Sequence, residues 1–225
     1  LSGSTTLTVA SAATLSGILS GAYDLTTGGA AELTLSGANS FSGVTTVNGG
    51  VLTLAGGSAL VDTMAVTVNV DGLLKLAASE TIATMAGAGT LNLQGNALTV
   101  GGAANTTFSG VMGGASGSLV KNGAGVFTLT NANTFGGGVT LNAGAIQVGN
   151  DAALGTGQLT FTGGRLSSDS ATARTLANTY ALTGALTLGD GTNNGLLTLS
   201  GNGALSGATT LTVASAATLS GILSG

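Results

Sequence analysis

Residues 123–148 read GAGVFTLTNANTFGGGVTLNAGAIQV, and their pattern decides the fold. Phe127-Thr128-Leu129 alternates apolar, polar and apolar side chains, a period of two that puts one set on each face of an extended strand. A turn rich in Asn, Ala and Gly follows, and then a second alternating run. Asn tolerates left-handed backbone and bonds to nearby main chain, so Asn133 and Asn142 read as turn formers.

The same signal recurs elsewhere. Residues 29–54 (GAAELTLSGANSFSGVTTVNGGVLTL) align to 123–148 without gaps, with 11 of 26 identical, and Asn39 and Asn48 fall opposite Asn133 and Asn142. A third copy starts at Gly195 (GLLTLSGNGALSGATTLTV), and Gly87–Gly95 opens a fourth. Leu33-Thr34-Leu35, Leu52-Thr53-Leu54, Leu91-Asn92-Leu93 and Leu197-Thr198-Leu199 carry the same alternation. A longer repeat overlies this one. Residues 205–225 repeat residues 1–21 at 20 of 21 positions, with Ala208 in place of Ser4, so residues 1–204 form one period. The expectation is a single elongated segment over 1–225, cut from a tandem array in a longer parent chain.

Composition removes several function classes. The 225 residues contain no His, Cys, Pro or Trp, and only 12 are charged, for a net charge of −4. Without His and Cys the usual nucleophile–base pairs and soft metal ligands are missing, and disulfides are impossible. Four basic residues cannot neutralise a phosphate backbone, which argues against nucleic acid. The mean hydropathy of +0.53 and 43% hydrophobic content suggest a folded chain. Gly, Ser, Thr or Asn interrupts every apolar run, so no transmembrane helix is expected in this segment. No basic stretch followed by an apolar core opens it either.

About 22 short strands are expected, one per ten or so residues, and no segment shows a helical period. A sandwich, barrel, propeller or solenoid could use them. Near-identical ends in a covalent array favour a solenoid, in which each coil touches only its neighbours. At roughly 20 residues per coil, one period holds about ten coils and runs on the order of 50 Å. Seven scattered aromatics cannot build the two girdles of a membrane barrel. The fold class expected is therefore all-β, a β-solenoid, with Gly at coil corners and Thr on the outer strand face.

Phe108–Gly110, Lys121–Gly125 and Phe127–Gly157 resemble the autotransporter-associated β-strand repeat, also called the passenger-associated transport repeat. Residues 29–54 resemble it again, and 195–213 in part, with Leu205 where the pattern has an aromatic. Residues 55–80 and 165–190 follow it only as generic strands. The resemblance implies a right-handed parallel β-helix in a large secreted or surface-displayed bacterial protein, with stalk, adhesin or matrix roles.

Every residue that could carry chemistry also has a structural reading. The acids Asp24, Glu32, Asp62, Asp71, Glu80, Asp151, Asp169 and Asp190 are scattered along the whole chain. Asp151, Asp169 and Asp190, with Arg165 and Arg174 between them, are spaced near one coil and could line a carbohydrate site. The same spacing fits acid–base pairs at successive turns. Asp190–Gly195 suggests a calcium loop, yet Gly201 stands where an EF-hand needs its bidentate Glu. Gly113–Gly117 lacks the Lys of a phosphate loop. Outward Thr rows could bind ice, but Asn92 and Gln147 break the register. No catalytic, cofactor or metal residue is assigned. The expected role is a structural module of an extracellular fibre, stalk or matrix protein whose partners are adjacent copies of itself. The alternatives are an adhesin for glycan or a neighbouring cell, and then a polysaccharide-degrading β-helix enzyme.

Overall fold

The computed structural model describes residues 1–225. It is all-β, without helices, and every strand pairing is parallel. The chain winds into a β-solenoid of about eleven turns. Strands are short, two to five residues, because a turn residue arrives after one or two alternations.

Face 1 is an eleven-stranded sheet running from Thr5–Val9 to Thr210–Val213. Its register shows an even coil: Thr5 lies beside Leu25, Leu25 beside Thr45, and Ala145 beside Arg165. The last step, from Ala185 to Thr210, is longer, because the loop after Leu188 is longer. Face 2 follows face 1 in each coil. It has six strands from Ala13–Leu15 to Val111–Gly113, then a break, then three from Arg174–Leu176 to Ala217–Leu219. Face 3 closes the coil with eight strands, from Glu80–Ile82 to Leu223–Ser224. Three sides per coil raise the strand number to 28, above the 22 read from sequence. The additional strands, such as Thr106–Phe108 and Val111–Gly113, are three residues long and too brief to show alternation.

The interior is built of columns in which one residue stacks on the next coil's counterpart. On face 2, Leu15, Leu35, Leu54 and Leu76 stand in register. On face 3, Leu98, Leu119, Val139, Leu159 and Tyr180 do the same. Forty-three buried side chains make one continuous apolar core. Six of the seven aromatics, Phe41, Phe108, Phe127, Phe135, Phe161 and Tyr180, lie inside it, so the bore is wider than one filled by Leu, Val, Ile and Ala alone. Glycine is demanded where such a ring needs room: a Cβ at Gly203 would run into the Tyr180 ring of the coil before.

The two sequence periods behave differently. The 204-residue period returns to the same place: Thr6 and Thr210 both lie on face 1, ten coils apart. The 94-residue offset does not. Glu32–Leu35 lies on face 2, while its counterpart Val126–Leu129 lies on face 1; Thr45–Val47 is on face 1 and Val139–Leu141 on face 3. The second copy is therefore advanced by four coils and two sides. That displacement explains the break in face 2. The turn with Asn39 and Phe41 occupies the third side where face 3 has no strand, and its copy with Asn133 and Phe135 occupies the second side where face 2 stops.

Most threonines of the Leu-Thr-Leu runs point outward as expected, Thr34, Thr128 and Thr198 among them. Thr27 and Thr45 depart from this. Both are buried on face 1 with hydroxyls that find no partner, because they occupy the inward phase of their strands.

Candidate functional site

The recurrent turn is the most organised polar feature of the molecule. Asn133 is buried, and its amide spans three coils: Oδ1 accepts from Met112 N at 2.7 Å and Nδ2 donates to Ala153 O at 2.6 Å. Asn39 repeats this, accepting from Leu19 N at 2.7 Å and donating to Ala59 O at 2.8 Å. An amide serves because it offers one acceptor and one donor in opposite directions along the axis. Phe41 and Phe135, two positions on, plug the interior beneath each turn. Glu80 extends the Asn39 column by one coil, taking Ala59 N at 3.1 Å and Leu60 N at 3.2 Å. Burial pushes its carboxyl above the ordinary range despite those two donors. A second pattern lies nearer the surface, where Asn69 donates to Asn48 and Asn142 to Asn122, at 2.5 and 2.6 Å. These side chains do not act locally within their turns, as the sequence suggested. They tie one coil to another.

The acidic candidates are distributed among separate partners. Asp190 pairs with Arg165 at 3.0 Å, and Asp169 with Arg174 at 3.3 Å. Asp151 accepts from Thr175 N at 3.0 Å. All three follow face 1 strands, so they share one corner of successive coils, and each is engaged in its own contact. The Asp190 carboxylate also takes Thr192 N at 2.8 Å. That N–H and then the Arg165 charge hold its carboxyl below the usual value, against desolvation. The Asp190–Gly195 loop thus closes on its own backbone and an arginine. No three His, Cys, Asp or Glu side chains gather as a metal donor set.

An open cleft of about 440 Å³ crosses the outside of face 1 beside this pair, lined by Thr128, Gln147, Arg165, Asp190 and Asn193. Thr128 donates to Gln147 at 3.2 Å and Gln147 to Asp190 at 3.4 Å. Such a surface can hydrogen-bond a polyhydroxylated ligand. No aromatic ring lines it for stacking.

Three polar groups are buried to which the sequence assigns no buried role. Besides Glu80, Lys121 is 1% exposed among the face 3 columns, between Val100 and Leu141, and its ammonium reaches only the Gly123 carbonyl. Burial lowers its pKa. Tyr180 is fully buried with its hydroxyl unpartnered. The signal lies in the phase of the strands: Lys121 follows Leu119 by two and Glu80 precedes Ile82 by two, so both occupy inward positions.

The model of the passenger-associated transport repeat matches residues 25–54 and 119–148. Each match covers two strands, the Asn–aromatic turn and the two strands that follow. Residues 195–213 lie outside it; there Gly203 stands in place of the clamping Asn and Leu205 in place of the Phe. No curated protein matches the chain. Two stretches 94 positions apart thus match one repeat pattern on different sides of one coil stack: the chain is a β-solenoid in which residues 25–54 and 119–148 are similar to the passenger-associated transport repeat.

Proposed function

We propose that this chain is a structural rod segment of a secreted or surface-displayed bacterial passenger protein, continued head-to-tail by further 204-residue periods. One observation carries the reading. At Leu205 the sequence begins to repeat and the solenoid has returned to the same sides, with Thr210 on face 1, Leu219 on the second side and Leu223 on face 3. A next period would stack without rotation or a change of register. Load along such a rod is borne by coil-to-coil backbone hydrogen bonds and apolar columns. The likeness of residues 25–54 and 119–148 to the passenger-associated transport repeat supports the extracellular setting.

The test is length. Chains of one, two and three covalent periods, viewed by electron microscopy, should lengthen by about 48 Å per period (ten steps of ~4.8 Å) at constant width. Rods that thicken or collapse instead of lengthening would overturn it. The polar cleft beside Arg165 and Asp190 favours a second reading, an adhesive side wall for glycan. Glycan-array binding that is lost on Gln147→Ala would support that reading, and a blank array would remove it.

A further inference from the structure

Four Asn–Gly pairs occur in the chain: Asn48–Gly49, Asn122–Gly123, Asn194–Gly195 and Asn202–Gly203. Such a pair is able to cyclise, because the glycine nitrogen has no side chain beside it to hinder attack on the preceding Asn Cγ. All four Asn residues are exposed, so sequence and solvent treat the pairs alike. The glycines differ. Gly195 N donates to Ser170 O at 3.0 Å and Gly203 N to Ile222 O at 2.9 Å. A Cβ on either would overlap a neighbour, the Thr172 carbonyl for Gly195 and the Tyr180 ring for Gly203. Gly123 N reaches Val100 O at 3.4 Å, and Gly123 is packed against the carbonyls of Gly101 and Gly102. Gly49 lies between two strands and donates no hydrogen bond, and an added Cβ would stop 3.4 Å from the nearest atom, Gly29 O. Asn48 lines an open cleft of about 530 Å³ with Asn69 and Asp71. Its Oδ1 accepts from Asn69 Nδ2 at 2.5 Å, and its own Nδ2 is left without a partner.

We propose that Asn48–Gly49 is a self-modification site, at which the folded chain converts Asn48 to aspartate and isoaspartate without an enzyme. Gly49 N gives its proton to solvent and bonds to Asn48 Cγ. The Cγ–Nδ2 bond breaks, and Nδ2 leaves as ammonia with a proton from water, which gives a five-membered imide. One water then opens the imide at either carbonyl. The net change is amide plus water to carboxylate plus ammonium. The Asn69 amide N–H already sits on the oxygen where charge develops during the attack. Cyclisation needs the glycine nitrogen to turn toward Cγ, and Gly49 has the room and the free N–H to do so. A bonded, packed glycine must first open its coil locally. The aspartate product keeps the main chain and still accepts from Asn69. The isoaspartate product inserts a methylene into the main chain between face 1 and face 2. Either one places a second carboxylate in the cleft that holds Asp71, so charge gathers at one corner of the solenoid with age. This inference is independent of the rod reading above.

The test incubates the 225-residue chain at mildly alkaline pH, native and in urea. Each Asn–Gly peptide is followed by mass spectrometry, which reads the replacement of NH2 by OH. In urea the four pairs should react at similar rates, since Gly follows each Asn. In the native chain Asn48 should convert first, within a few-fold of its rate in urea, and Asn122 several-fold later. Asn194 and Asn202 should fall roughly tenfold or more below their rates in urea, the factor that one broken backbone hydrogen bond imposes. Gly49→Ala fits the space at that position, where φ is not positive. It should slow Asn48 several-fold and leave Asn122 unchanged. Equal native rates at all four pairs, Asn194 or Asn202 converting ahead of Asn48, or an Asn48 as protected as Asn194 would overturn the assignment.

Discussion

Replacing Asn133 by Asp changes one amide nitrogen to oxygen at the centre of a three-coil clamp. The remaining Oδ1 still accepts from Met112 N, but the group facing Ala153 O at 2.6 Å can no longer donate unless it is protonated. At pH well below the unfolded carboxyl value of about 3.9 the neutral acid supplies an O–H and the clamp is restored. Above it, the folded state must hold a buried anion against a carbonyl oxygen or keep the proton, so the folded pKa is raised. The sign follows from proton linkage. The folded state binds the extra proton, and stability relative to the parent chain falls as pH rises, by about 1.4 kcal/mol per unit, until the folded pKa is passed. Asn133→Ala removes both bonds at any pH. With two buried bonds gone and their partners stranded, it should cost about 2–4 kcal/mol. Urea denaturation followed by far-ultraviolet circular dichroism, for both variants and the parent between about pH 3 and pH 7, measures this directly. The Asp variant should approach the parent in acid and fall to or below the Ala variant near neutrality. A pH-independent difference, or an Ala variant as stable as the parent, would refute the clamp.

Three further outcomes follow from the packing and the buried charges. Gly110→Ala should cost more than about 3 kcal/mol, since its Cβ would overlap the Gly89 carbonyl oxygen, whereas Gly191→Ala, with nothing within 4 Å, should leave the melting temperature unchanged. Lys121→Met replaces a desolvated ammonium by an apolar chain of similar length and should be neutral or stabilising by about 1–3 kcal/mol near neutral pH. Because the Lys121 pKa is lowered on folding, the parent should gain stability as pH rises through the folded value toward 10.5, and the Met variant should lack that rise in denaturation curves. Asp190→Asn should remove only the part of the acid-side loss of stability that appears as pH falls through the depressed carboxyl value, seen in acid titration of the fold.

The coil length and the solenoid stacking are legible in residues 29–54 and 123–148, and the long period of about ten coils in residues 1–21 and 205–225. Alternation reveals a strand only when it lasts, and so the third side of the coil is hidden. Val111–Gly113 and Arg174–Leu176 have one alternation each and look like turns until a neighbour pairs with them. Recurrence marks the Asn residues, but propensity makes them local turn formers, because it describes a residue within its own few neighbours. Their partners lie one coil away in both directions, a relation visible only after the coil is wound. Glu80 and Lys121 are obscured by the general rule that charge faces water. Their phase within Glu80-Thr81-Ile82 and Leu119-Val120-Lys121 already places them inward.

The displacement of the 94-residue copy by a fraction of a coil bears on how such a molecule diverges and is recognised. Identical motifs do not share a compass bearing: the two Asn–aromatic turns look out from different sides of the rod. A receptor or antibody that learned one of them would meet the other roughly a third of a revolution away, and could not bridge the pair along a straight line. The gene, in turn, has room to gain or lose stretches that are not whole coils, since two different sides accept the same text. Surface pattern can therefore drift around the axis while the rod beneath it stays the same.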